Sequence, residues 1–134
     1  MSLKQIVTKI HTSTKRDYLA RVNSVDKAWA AEKAGAWGFD YWDGSRDTGY
    51  GGYKYDGRWL PIAKNIISEY NLDNNSSILQ VGCEKGFLLN DLKSLLPSAR
   101  IAGTESAAYP IETSMETVRD SIVKSEIDSL RVEM

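Results

Sequence analysis

The sequence predicts an α/β protein: a short parallel sheet with packed helices, preceded by a helical leader rich in aromatic residues. Three observations carry that expectation. Ser77-Ile-Leu-Gln-Val-Gly-Cys-Glu-Lys-Gly-Phe-Leu-Leu reads as a strand, a tight glycine turn and a helix. Short apolar runs then alternate with helical patterns over the following residues. That order implies parallel strands joined by right-handed crossovers. Residues 37–59 hold eight of the thirteen aromatic side chains, repeatedly interrupted by glycine. A loop that long and that aromatic is more often functional than a plain connector.

Each element follows from local chemistry. Ser24 is a capping residue for a helix running to Lys33, with Gly35 ending it. Pro61 suits the start of an amphipathic helix carrying Ile62, Ala63, Ile66, Ile67 and Tyr70. Asp73-Asn-Asn-Ser76 is a cluster of turn formers, and it divides the chain into a leader, 1–76, and an α/β part, 77–134, within one compact unit. Ile78 to Val81 is a buried strand by composition. Leu88, Leu89, Leu92, Leu95 and Leu96 fall at helical spacing, and Pro97 closes that helix. Arg100 to Thr104 is a second strand, ending at Glu105. Pro110 opens another helix, with Ile111, Met115 and Val118 on one face. Ile122 to Glu126 fits either a third strand or the end of that helix, and periodicity leaves both open.

Composition narrows the function classes. A chain of 134 residues is long enough for one domain with a core, and 42% hydrophobic with 26% charged residues is ordinary for a soluble protein. The net charge of −1 offers no field to attract nucleic acid or an anionic membrane. Cys83 is the only cysteine and His11 the only histidine, so a disulfide within the chain is excluded and no metal site is expected. The first residues lack the apolar run of a signal peptide, and a cytoplasmic location is the expectation.

The glycine turn carries the chemistry. Gly82 and Gly86 bracket the start of a helix, where free N–H groups favour acceptor-rich ligands and glycine permits close approach. Glu105 stands 19 residues beyond Gly86, near the separation of about 20 that places a carboxylate beside a ribose in a strand–loop–helix–strand unit.

Ile78 to Ser106 resembles the cofactor-binding half of a class I, Rossmann-like S-adenosylmethionine (SAM)-dependent methyltransferase. Tyr41-Trp-Asp-Gly44 and Tyr50-Gly-Gly-Tyr-Lys-Tyr-Asp-Gly-Arg-Trp59 resemble the leader of one bacterial branch of that family, and the resemblance runs from about Lys15 onward. It implies a partial Rossmann-like methyltransferase sheet. It implies cofactor contacts at Gly82, Cys83, Glu84, Gly86, Glu105 and Ser106, with Glu105 accepting from both ribose hydroxyls. It makes Tyr50, Tyr53 and Tyr55 candidates for a lid over the acceptor, and it names no catalytic base. Glu105, at a strand end, is expected to matter for affinity and little for stability. Cys83 reads as a small packed residue rather than a nucleophile.

The sequence departs from the family pattern in three places. Gln80 replaces the usual acid of the first strand. Glu84 replaces the central glycine, where a side chain crowds the ligand and glycine suits the backbone angles; weak or lost SAM binding is expected. The chain also stops at Met134, near the third strand, whereas the family fold continues through a fourth strand beside the first. An open apolar edge invites pairing, so a second copy, the aromatic leader or a second polypeptide is expected to cover it. The function implied is SAM-dependent methyl transfer to a small or sugar-linked acceptor, or a truncated or degenerate relative of such an enzyme. The alternatives are a non-catalytic binding or assembly protein and a nucleotide-binding module for another ligand.

Overall fold

The computed structural model describes residues 3–13 and 15–129. The chain divides into two compact units, residues 1–55 and 56–134. The first is helical: α1 (Thr8–His11), α2 (Tyr18–Ser24), α3 (Lys27–Gly35) and α4 (Phe39–Trp42). Asp17 caps α2, accepting from Ala20 N at 3.0 Å. The cap of α3 is Asp26, whose carboxylate accepts from Ala28 N and Trp29 N at 2.9 and 3.1 Å. Ser24, expected to cap that helix, instead ends α2. A carboxylate taking two of the four free N–H groups outcompetes a hydroxyl two residues earlier.

The aromatic stretch folds onto itself. Trp42 is buried and its Nε1 donates to Trp37 O at 3.1 Å. Tyr41 meets Trp37 and Trp42 edge to face at 4.5 and 4.9 Å. Tyr50 stacks on Trp42 at 5.5 Å and touches Tyr53 at 4.5 Å. Offset and edge-on ring pairs of this kind add stability beyond their buried area. Polar ties fix the loop around the rings: buried Thr48 Oγ1 donates to Asp40 O at 2.6 Å, and Tyr53 N donates to Asp43 Oδ1 at 2.9 Å. A Cβ at Gly49 would lie 2.0 Å from Tyr41 O, so only glycine permits that approach.

The second unit is α/β. It runs α5 (Trp59–Tyr70), β1 (Ser77–Val81), α6 (Phe87–Leu95), β2 (Arg100–Glu105), α7 (Ala108–Glu112), α8 (Glu116–Arg119), β3 (Ile122–Lys124) and a final helical turn, Ile127–Ser129. Helix α5 buries Ile62 and Ala63 and packs on α6. Asn71 ends it in the left-handed conformation at φ 51°, a common helix stop. The three strands are parallel in the order β1-β2-β3, with Ile78 opposite Ile101, Val81 opposite Thr104, and Gly103 opposite Ile122. The α/β expectation therefore holds, and the undecided Ile122–Glu126 stretch contributes a strand.

Because side chains alternate, this register sorts residues onto two faces. Ile101 and Ile122 pack with Cys83, Leu89, Val118, Ile111 and Met115 in the core. Leu79, Val81 and Val123 share the other face and are 42%, 45% and 60% exposed.

The single helix expected from Pro110 through Val118 is two short ones. Thr113 Oγ1 donates to Tyr109 O and Ser114 Oγ to Ile111 O, at 2.7 and 2.6 Å, and such hydroxyls compete with the helical ladder. Met115 N leaves the ladder altogether and donates to Lys85 O at 2.9 Å. Ile111, Met115 and Val118 still reach one core. Among the described residues no helix is long and apolar enough to cross a membrane.

Candidate functional site

The ends of the three strands form a cleft of about 230 Å³. Val81 and Gly82 supply one side, Thr104, Glu105 and Ser106 the middle, and Ser125, Glu126 and Ile127 the other side. Ligands of open parallel sheets bind at this carboxyl end of the strands. Among the described residues the lining offers two hydroxyl-bearing serines, a threonine and two carboxylates, and no lysine or arginine.

The glycine turn beside the cleft uses three left-handed residues: Gly82 at φ 72°, Glu84 at 56° and Gly86 at 75°. Gly82 has open space where a Cβ would stand. Gly86 does not: a Cβ there would lie 2.7 Å from Val118 Cγ2, so this glycine seats the start of α6 against α8. Glu84 takes the left-handed conformation that the sequence pattern reserves for glycine, at a cost of roughly 1–2 kcal/mol for an ordinary side chain.

Hydrogen bonds strap this turn to β2. Gly82 N and Cys83 N both donate to Thr104 O, at 2.8 and 2.9 Å. Glu84 N donates to Glu105 Oε2 at 2.9 Å, while Glu105 Oε1 accepts from Ser106 N at 2.9 Å and Ala107 N at 3.1 Å. Glu105 is 8% exposed. Its place at a strand end predicts little consequence for stability; a buried carboxylate with three N–H partners is a structural tie as well. A carboxylate has about four lone-pair sites, so roughly one remains for a ligand hydroxyl, fewer than two ribose contacts require.

The remaining candidates divide between the two units. Gly82, Glu105 and Ser106 line the cleft. Cys83 is buried beneath the turn, and burial, followed by the charges of Glu105 and Glu84, pushes its thiol up to about 12. It is no nucleophile at neutral pH. Tyr50 and Tyr53 belong to the ring cluster of the first unit, and Tyr55 is 40% exposed there. Arg58 holds Asp56 through Nε and Nη2 at 2.7–3.0 Å and lowers that carboxyl below its usual range. Sequence reasoning missed Thr104 and the Ser125–Ile127 side of the cleft. The available signal was positional: residues just beyond a third parallel strand fall at the same sheet edge as those beyond the first two.

No family model matches this sequence, and no curated protein matches it. Among solved structures, the chain is similar to coclaurine N-methyltransferase in a crystal structure with N-methylheliamine and SAH bound. The TM-score is 0.50 at 12% identity, over 95% of this chain and 43% of that one. The chain thus spans less than half the length of this neighbour, and the likeness is one of fold: a partial Rossmann-like methyltransferase sheet with its helices.

Proposed function

We propose that the cleft binds SAM and that the chain is a SAM-dependent methyltransferase, or a non-catalytic relative that keeps the binding half, with a small or sugar-linked acceptor. The observation that carries this reading is the cleft, where a buried carboxylate ends β2 beside a left-handed turn between β1 and α6. Its volume suits a nucleoside rather than the whole of a larger ligand. Its charge selects further. With Glu105 and Glu126 in the lining and no cationic side chain there among the described residues, a phosphate chain meets repulsion, whereas a nucleoside bearing a cationic sulfonium does not. This argues against the nucleotide-binding alternative. Methyl transfer depends chiefly on aligning acceptor and methyl donor, so a dedicated base is not required of the lining. Calorimetry with SAM, ATP and NAD tests the reading: weak binding of SAM, and none of ATP or NAD, is expected, and tighter binding of ATP or NAD would overturn it.

A second reading, assembly rather than catalysis, rests on a separate observation. Parallel sheets are ordinarily covered on both faces, yet Leu79, Val81 and Val123 are exposed, and β1, which carries the first two, is an edge strand. A second copy or another strand-bearing polypeptide fits that edge and face. Light scattering over a concentration series, alone and with SAM, separates the readings: a monomer that binds SAM supports the enzyme, and an oligomer that ignores SAM supports assembly.

A further inference from the structure

We propose that Glu105 is a positioning residue that sets the shape of the cleft through the backbone of Glu84. Of the turn's three left-handed residues one is not glycine, and that residue is the one whose N–H is held by a side chain from another strand. An unfavourable backbone conformation persists only where the surroundings over-determine it. Here the determinant is a charged acceptor 2.9 Å from Glu84 N, itself fixed from a second direction by Ser106 N and Ala107 N at 2.9 and 3.1 Å. Burial strengthens such charge-assisted bonds. The main chain of Glu105 completes the arrangement, since its carbonyl accepts from Ser125 N at 3.0 Å. One residue therefore ties together the segments just beyond β1, β2 and β3, the three sides of the cleft.

This assigns Glu105 a role distinct from touching a ligand. A residue that only contacts ribose alters affinity and leaves the turn unchanged. A residue that holds Glu84 left-handed alters the turn itself, and glycine at position 84 makes it dispensable, because glycine adopts that conformation unaided. The affinity part of this inference rests on the SAM reading above; the backbone part does not.

The experiment has two arms, using Glu105→Gln, Glu84→Gly and the double variant of the full chain. In the first, amide hydrogen exchange is followed by NMR without any ligand. In Glu105→Gln the carboxamide oxygen stays with Ser106 N and Ala107 N, the side with two donors, and its NH2 faces Glu84 N; the Glu84 amide is expected to exchange about ten to a hundred times faster, while buried Leu92, in the middle of α6, keeps its protection. Unchanged exchange at Glu84 overturns the proposal, whatever the protein binds. In the second arm SAM affinity is measured by calorimetry. Glu84→Gly is expected to restore most of the affinity lost in Glu105→Gln. Simple addition of the two effects would mean that Glu105 acts by direct contact, and would overturn the positioning role. If no variant binds SAM, the SAM reading fails and the exchange arm decides. If Glu105→Gln alone does not fold, recovery of the fold in the double variant supports the proposal, and failure to recover overturns it.

Discussion

The two faces of the sheet are built by the same three strands and have opposite fates. On one, Ile101 and Ile122 meet Leu89, Val118 and Cys83 in a core, with Leu89 fully buried. On the other, Leu79, Val81 and Val123 stand 42–60% exposed among the described residues. The strands themselves do not distinguish them: Ser77–Val81 carries apolar residues on both faces, as parallel strands covered on both sides do. The difference lies in the helices that connect the strands. Helices α6 and α8 return to one face. Stability is therefore concentrated on the closed face, and the open one leaves apolar side chains exposed among the described residues.

The comparison breaks first at Leu89. Leu89→Ala should cost about 2–5 kcal/mol in urea unfolding, because it leaves a cavity where the closed face is most completely buried. A loss below about 1 kcal/mol would mean that this face is not the core. Next comes Gly103, on the same face. A Cβ there would lie 2.6 Å from both Cys83 Sγ and Leu89 Cδ1, so Gly103→Ala should cost about 1–3 kcal/mol. Combining it with Cys83→Ala should recover part of that loss by freeing space.

A further effect appears only at high pH. The folded Cys83 thiol titrates near 12, against an ordinary value of 9.0. The folded state thus favours the protonated thiol, and its contribution is fully present below pH 9 and is lost as pH rises toward 12. The slope from this group is at most about 1.4 kcal/mol per pH unit. Chemical denaturation of the native chain and Cys83→Ala across that window should show curves that converge as pH rises. The open face gives the smallest change. Leu79→Thr and Val123→Thr should move monomer stability by no more than about 0.5 kcal/mol, while weakening any self-association seen by light scattering. A large loss of stability in the monomer would show that this face is covered.

The features legible in the sequence were local. The strand, glycine turn and helix at Ser77–Leu95, the amphipathic α5 and the turn at Asp73–Ser76 each follow from residues a few positions apart. The parallel order followed from their succession. The features that escaped depend on distant partners. The break between α7 and α8 is fixed in part by Met115 N reaching Lys85 O, and the Glu105 strap joins residues 21 positions apart. The far side of the cleft escaped for another reason. A strand of three residues, Ile122–Lys124, is too short to show a period, so Ser125–Ile127 had no assigned place. The left-handed backbone at residue 84 was anticipated from the glycine pattern; that Glu84 itself would adopt it was not.

Cys83 makes the chain its own recording instrument. It is the single thiol in the sequence, it is 3% exposed, and it lies beneath the turn whose backbone is strapped to β2. An alkylating reagent at mild pH finds no competing cysteine and no reactive thiolate until that turn lets go. Where reclosing outpaces labelling, the observed rate is the reagent's intrinsic rate multiplied by the fraction of time spent open. One modification, counted by mass, thereby times the opening of a single buried turn in a protein carrying no added probe.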